Sequence, residues 1–137
     1  MKKIKLAVYG AGGFGREVAW LAQSVFAKNK NFEVLCFIDD EPKICGTQLN
    51  HLKVLSLSQT KKTYADLWVV SGIGVPKVRE KTIKKAIAAD FRFTTLIHPT
   101  VEMSKWIEIG EGTVICAGSI LTTNITLGKH VQINLDC

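Results

Sequence analysis

The sequence predicts an α/β protein, a parallel sheet with flanking helices followed by the first coils of a left-handed parallel β-helix. Three observations carry that prediction. The glycine turn Gly10-Ala11-Gly12-Gly13-Phe14-Gly15 joins an apolar segment to an amphipathic one. Short apolar runs and helical spacings then alternate as far as residue 96. From Ile97 onward, aliphatic residues recur at every sixth position.

The first strand is expected over residues 4–9 (IKLAVY), a short apolar run that ends in glycines. Phe14, Val18, Leu21 and Val25 follow at offsets of four, seven and eleven, which places them on one face of a helix over residues 14–28. Asn29 to Asn31 ends that helix. Residues 32–38 (FEVLCFI) form a second buried strand, closed by Asp39-Asp40-Glu41-Pro42. Residues 43–63 carry little pattern, and only a short strand over 53–57 is expected there. Residues 67–71 (LWVVS) read as a third buried strand, turned over by Gly72-Ile73-Gly74. Pro76 suits a helix start, where its missing N–H costs nothing. Val78, Ile83, Ala86 and Ile87 give the expected inner face of a helix running to about Ala89. A fourth strand is expected over residues 92–97. This order implies a parallel sheet with right-handed crossovers, in a Rossmann-like domain over residues 1–96.

Ile97, Met103, Ile109, Ile115, Leu121, Leu127 and Ile133 then keep a constant spacing of six. Four positions after each stand Val101, Ile107, Thr113, Ser119, Ile125, Val131 and Cys137, all small, β-branched or aliphatic. Neither a helix nor simple strand alternation generates a period of six. Three six-residue sides make one triangular coil of a β-helix, with an aliphatic side chain pointing inward on each side. Glycines at 110, 112, 118 and 128 fit its turns. Residues 97–137 complete two coils and begin a third.

Composition bounds the function classes. The 137 residues carry 18 Lys and Arg against 12 Asp and Glu, a formal charge of +6. That balance suits phosphate-bearing ligands. The lysines, including Lys2, Lys3, Lys28, Lys30 and the run from Lys77 to Lys85, otherwise read as solvated faces. No aromatic residues interleave with them, so no nucleic-acid partner is expected. No apolar run is long enough to span a bilayer, and Lys5 breaks the stretch a signal peptide would need. The expectation is a cytoplasmic protein with no membrane partner. Cys36, Cys45, Cys116 and Cys137 match neither zinc nor CxxC spacing, so free thiols and no metal are expected.

The glycine turn carries the clearest chemistry. Gly10-Ala11-Gly12-Gly13-Phe14-Gly15 fits G-x-G-x-x-G between a strand and a helix. The first glycine permits the turn, the second admits a phosphate to the backbone, and the third lets helix and sheet pack closely. The helix N-terminus then offers unpaired N–H groups to an anion. Asp39 and Asp40 end the second strand, 24 and 25 residues after Gly15. Carboxylates there accept hydrogen bonds from a ribose or a base, or else form an acidic turn before Pro42. These features alone would suit an NAD-dependent dehydrogenase. Only about 96 residues precede the β-helix, however, which leaves one mononucleotide half rather than two.

Tyr9 through Glu17 (YGAGGFGRE), Phe37-Ile38-Asp39-Asp40, Ile73-Gly74 with Arg79, and Leu96-Ile97-His98-Pro99-Thr100-Val101 stand in the order and spacing of one family. The chain resembles, along its whole length, the NeuD/PglD-type sugar O- or N-acyltransferases of bacterial surface-glycan synthesis. That resemblance implies an N-terminal domain binding a UDP- or GDP-linked sugar. It also implies a left-handed β-helix that forms a homotrimer and binds acetyl-CoA, the acyl donor, between neighbouring subunits. The loop Gly10 to Gly15 would hold the phosphates, Asp39 or Asp40 the base or ribose, and Gly74 the pocket floor. Phe14 stands where many members carry His, and Val75-Pro76 where polar residues are frequent.

Ile133-Asn134-Leu135-Asp136-Cys137 resembles the segment just before the family's general-base His. The resemblance therefore implies a C-terminally truncated acyltransferase with no catalytic residue of its own, Asn134 lining the edge of the active site. His51, His98 and His130 are not expected to substitute. A non-catalytic nucleotide-sugar-binding fragment is the second reading, and an NAD(P)-linked oxidoreductase the third.

Overall fold

The computed structural model describes residues 4–28 and 31–137, so the helix break expected at Asn29–Asn31 falls largely outside the described residues. The first part of the chain runs β1 (Ile4–Tyr9), α1 (Gly13–Lys28), β2 (Phe32–Ile38), β3 (Gln48–Leu49), β4 (Leu52–Leu55), α2 (Leu57–Thr63), β5 (Trp68–Ser71), α3 (Pro76–Ala88) and β6 (Arg92–Phe93). These strands form one sheet in the order β3-β4-β2-β1-β5-β6, parallel except for β3. β1 is central, and Leu6, Ala7 and Val8 are wholly buried, as a strand covered on both faces requires. The sheet order reverses between β2 and β5, on either side of β1, and that switch point places the site described below.

Four expectations need correction. Residues 43–63 are more ordered than their pattern suggests. β3 and β4 form a hairpin whose two turn residues, Asn50 (φ 49°) and His51 (φ 66°), are both left-handed, matching the twist of paired strands. The strand expected over 53–57 occupies Leu52–Leu55 instead. It stops because Ser56 caps α2: the Ser56 hydroxyl accepts from the Gln59 amide while the Gln59 side chain accepts from the Ser56 amide.

The inner face of α3 is Thr82, Ile83 and Ala86, whereas Val78 and Ile87 are 46% and 55% exposed. Thr82 tolerates burial because its hydroxyl donates back to the carbonyls of Val78 and Arg79. Finally, the strand expected over 92–97 is two strands. The Thr94 amide still donates to Val69 in the sheet, but the Leu96 amide donates to Thr113, so the chain changes partners in between.

The remaining strands are β7 (Leu96–Ile97), β8 (Glu102–Met103), β9 (Ile107–Ile109), β10 (Val114–Ile115), β11 (Ile120–Leu121), β12 (Ile125–Leu127) and β13 (Gln132–Ile133). They pair in parallel as β7-β10-β13, β8-β11 and β9-β12, the three sides of a β-helix. Ile97, Ile115 and Ile133 stack on one side, Met103 and Leu121 on another, Ile109 and Leu127 on the third. Ile115 and Leu121 are buried, whereas Met103, in the first coil, is 43% exposed.

Corner residues are left-handed at Gly112, Gly118, Asn124, His130 and Asp136, again six apart. The side chains of His130 and Asp136 lie where a Cβ on Gly112 or Gly118, one coil earlier, would stand. Gly110 and Gly128 instead stack directly, backbone on backbone.

One apolar cluster spans both parts. Val18, Leu21 and Ala22 of α1 share it with Leu6 and Val8 of the sheet and with Leu96, Val114 and Cys116 of the coil. Burial pushes the Cys116 thiol up to about 11 and the Cys36 thiol to about 12, so both are inert apolar fillers.

His130 seals the same junction from another side. Its ring meets Phe93 edge-on at 4.6 Å, and its Nδ1 is buried with no hydrogen-bond partner among the described residues. Burial lowers the imidazole below its ordinary value; Glu111 opposes that shift, while Lys129 and Arg79 reinforce it. The unfolded chain therefore takes up this proton first. The stability held above about pH 6.5 is lost as the pH falls through that value toward the depressed folded one. His130→Asn, which keeps a residue tolerant of the left-handed backbone, is expected to flatten the acid decline of the urea midpoint between about pH 7 and 5 relative to the parent chain.

Candidate functional site

The glycine loop is shaped by close backbone approach. A Cβ on Gly15 would run into the carbonyl of Gly10, and one on Gly72 would stand 2.6 Å from Gly15 Cα. Gly10 adopts φ 113°, and a Cβ there would meet Ile73 Cγ1 at 2.7 Å. These three glycines bring α1 against the ends of β1 and β5. A Cβ on Gly12 or Gly13 would meet nothing within 4 Å, so both face open space.

That space is a cavity of about 330 Å³, lined by the loop, Tyr9, both aspartates and the Gly72–Val75 segment, with Val78 and Thr82 at its edge. It lies at the carboxyl ends of β1, β2 and β5. The first turn of α1 holds no acidic side chain, so none of the helix's own groups there offsets the positive end of its dipole. The Arg16 amide is used by the Gly12 carbonyl. Gly12, Gly13 and Phe14 therefore present the amides an anion would meet.

Gly10, Gly12, Gly13, Phe14, Asp39, Asp40 and Gly74 all line this cavity. Ala11 and Gly15 do not. Ala11 is buried and its amide donates to Asp39 Oδ2 at 2.9 Å, while Gly15 packs behind the loop. Asp39 Oδ1 also accepts from the Glu41 amide at 2.8 Å. Asp40 accepts from the Tyr9 hydroxyl at 2.7 Å and from Lys85 Nζ at 3.0 Å. Burial works to raise the Asp40 carboxyl, but these two donors outweigh it and hold it below the ordinary range. Burial and the bond to Asp40 raise the Tyr9 phenol well above its usual value, which keeps it a donor.

Asn134 belongs to a second cavity, of about 380 Å³, with Phe14, Gly74, Arg79 and Gln132. Phe14 and Gly74 line both spaces, so the two cavities are neighbours across these residues. Gln132 is the residue sequence reasoning missed, and the sequence marks Arg79 only as part of a motif, with no place in the site. Arg79 follows Ile73-Gly74 at a recognisable spacing, but nothing in the sequence says that it reaches the coil. His51, His98 and His130 line neither cavity.

Residues 5–86 match the PglD N-terminal domain family, which is more than half of the chain. The chain belongs to that family. A curated relative, the GDP-perosamine N-acetyltransferase of Escherichia coli O157:H7, is 25% identical over 130 residues, covering 93% of this chain and 58% of its own length. Among solved structures, WeeI from Acinetobacter baumannii AYE superposes with a TM-score of 0.85 at 32% identity, over 98% of this chain and 62% of its own. The acetyltransferase domain of PglB from Neisseria gonorrhoeae FA1090 superposes at 0.80 with 27% identity, over 96% of this chain and 62% of its own. It has also been solved in complex with acetyl coenzyme A. The chain thus spans about three fifths of the length of these proteins. The PglD N-terminal match contains the glycine loop, both aspartates, Gly74 and Arg79, and the coil lies beyond it.

The two kinds of glycine are separable by mutation. Gly15→Ala is expected to destabilise the fold by about 1–3 kcal/mol, as overpacking does. Gly12→Ala is expected to leave the melting temperature nearly unchanged yet weaken a bound nucleoside diphosphate about tenfold or more, by keeping the phosphate from a charge-assisted amide bond. Thermal melts beside calorimetric titrations would check both.

Proposed function

We propose that this chain is the sugar-nucleotide-binding part of an acetyl-CoA-dependent acetyltransferase, acting on an amino or hydroxyl group of a nucleotide-activated sugar in bacterial surface-glycan synthesis. The observation that carries this reading is the pair of neighbouring cavities. One is lined by loop amides suited to phosphates, and beside it, across Phe14 and Gly74, lies another with a wall from the β-helix. The names of the relatives agree with it, since one is a GDP-perosamine N-acetyltransferase and another an acetyltransferase domain that binds acetyl coenzyme A.

In this reading the amides of Gly12, Gly13 and Phe14 hold the phosphates, and Gly10, Ala11 and Gly15 shape the loop that presents them. Asp39 or Asp40 receives the ribose or base, Gly74 forms the floor, and Asn134 flanks the sugar. Residues 1–96 and 97–137 are the two working units, meeting along α1. The acyl donor is a second substrate, placed on the β-helix between neighbours in a homotrimer. The exposed Trp106 and Ile120 on the coil's faces support such an assembly. Free thiols at Cys36, Cys45, Cys116 and Cys137 suit the cytoplasm. Among the described residues, no helix is long and apolar enough to cross a membrane.

A second reading, a binding module without turnover, is favoured for residues 1–137 taken alone by the absence of any imidazole from the two cavities. An acyl transfer needs a general base within hydrogen-bond reach of the attacking group. Incubated with acetyl-CoA and UDP- or GDP-linked amino sugars, this chain is expected to release no thiol. Release would show that one of its own groups serves as the base. Calorimetry with UDP, GDP and NAD tests the binding itself. One of the two nucleoside diphosphates is expected to bind in preference to NAD, and tight NAD binding with indifference to both would overturn the proposal.

A further inference from the structure

The second cavity has walls from two different parts of the chain. Phe14, Gly74 and Arg79 come from the α/β part, Gln132 and Asn134 from the third coil. Something must fix the separation of those walls, and two side chains are placed to do so. Arg79 Nη1 donates to Gln132 Oε1 at 2.8 Å, a charge-assisted bond across 53 residues of sequence. The same nitrogen lies 3.3 Å from the Ile73 carbonyl and 3.4 Å from that of Gly74, the latter a residue that lines both cavities. The Gln132 amide is used at its other end too, Nε2 donating to the Ser71 carbonyl at 3.3 Å, at the tip of β5. Both ends of one coil side chain are therefore engaged by the α/β part, one by the last residue of β5 and the other by α3. Gln132 is an outward neighbour of the stacked Ile133, so its direction is set by the rung beside it.

We infer that Arg79 and Gln132 form a latch that sets the width and register of the cleft between the glycine loop and the third coil, acting as positioning residues for the sugar end of the ligand. The inference rests on the proposed binding of a sugar nucleotide but adds a division of labour to it. A nucleoside diphosphate touches only the loop cavity, where neither residue lies. A sugar attached to its terminal phosphate extends past Phe14 and Gly74 into the space the latch holds open. Breaking the latch should thus spare the nucleotide and penalise the sugar, which a general loss of structure would not do.

The test uses Gln132→Leu, Arg79→Met and the double variant of the 137-residue chain, titrated with two ligand pairs, GDP with GDP-perosamine and UDP with UDP-N-acetylglucosamine. For the pair the parent chain binds, each single variant is expected to keep the nucleoside diphosphate Kd within about twofold. The sugar nucleotide should weaken about tenfold, the size of one charge-assisted hydrogen bond. The double variant should be no worse than either single one, because both break the same latch. Gln132→Glu, which keeps an acceptor for Arg79, is expected to recover part of the loss and guards against a variant that simply fails to fold. Equal weakening of both ligands, no weakening, or additive losses would overturn the latch. If the parent chain binds neither pair, the functional proposal falls, and the latch is then decided by amide hydrogen exchange. Faster exchange across Gly72–Val75 in Gln132→Leu, with β1 unchanged, upholds it; unchanged exchange there refutes it.

Discussion

Three stretches of backbone meet where α1 begins, and the contact leaves no room for a side chain on any of them. Gly10, Gly15 and Gly72 are packed so closely that a Cβ on one would strike the backbone or side chain of another segment. Because of this contact, α1 lies directly above the ends of β1 and β5, its free amides facing the cavity. The same helix carries Val18, Leu21 and Ala22 into one cluster with Leu96, Val114 and Cys116 of the coil. A helix held outward by the width of one methyl group would open the phosphate loop and also displace the coil. Trp20 and His98, whose rings stand 5.7 Å apart, mark the outer rim of the same contact. The binding loop and the placement of the β-helix are therefore consequences of one close approach.

The coil is held by a different device. Its hydrophobic rungs supply burial, but hydroxyls tie successive coils together. Thr95 donates to the Gly110 carbonyl, Thr113 to Gly128 and Ser119 to Asn134, each fifteen residues ahead. Thr113 and Ser119 are wholly buried, and these bonds make their burial tolerable. The bond from Ser119 also reaches the backbone of Asn134, so the wall of the second cavity is anchored to the coil beneath it.

The elements that were legible in the sequence share one property: their signal is local or strictly periodic. β1, β2 and the glycine turn announce themselves within a dozen residues, and the six-residue repeat places every rung of the coil. What was not legible depends on partners distant in the chain. Residues 92–97 look like one strand because their apolar pattern is continuous, and only the change of partner from Val69 to Thr113 divides them. Val78 and Ile87 fit a helical stripe, yet both are about half exposed, Val78 at the edge of the loop cavity. The Asn50-His51 turn lacks the glycine that usually marks such hairpins. Corner residues of the coil hide for the same reason, since only two of the five left-handed positions are glycine. In the site, the glycine loop and aspartates could be named from spacing alone. Arg79 and Gln132 could not, because their relation is purely three-dimensional.

The charges around the paired cavities give a bound ligand a direction. Each oxygen of Asp39 and Asp40 already accepts one donor from the protein, and each keeps a further lone pair for a ribose hydroxyl or a base N–H. Both aspartates also line a third, open cavity of about 510 Å³ with Cys45, Ser56 and Lys85, which no coil residue lines. Donors from Tyr9 and Lys85 keep Asp40 ionised, and an ionised carboxylate repels a phosphate as surely as it attracts a hydroxyl. At the other end, Arg79 and the polar groups of Gln132 and Asn134 face the space beside Phe14. A sugar nucleotide meets acceptors at one end, backbone donors in the middle and a cation beyond. On the proposed reading, only one orientation satisfies all three, with the nucleoside toward the aspartates and the sugar toward the coil. Asp39 couples these choices, because the carboxylate available to the nucleoside is also the one that holds the Ala11 amide and, through it, the loop that grips the phosphates.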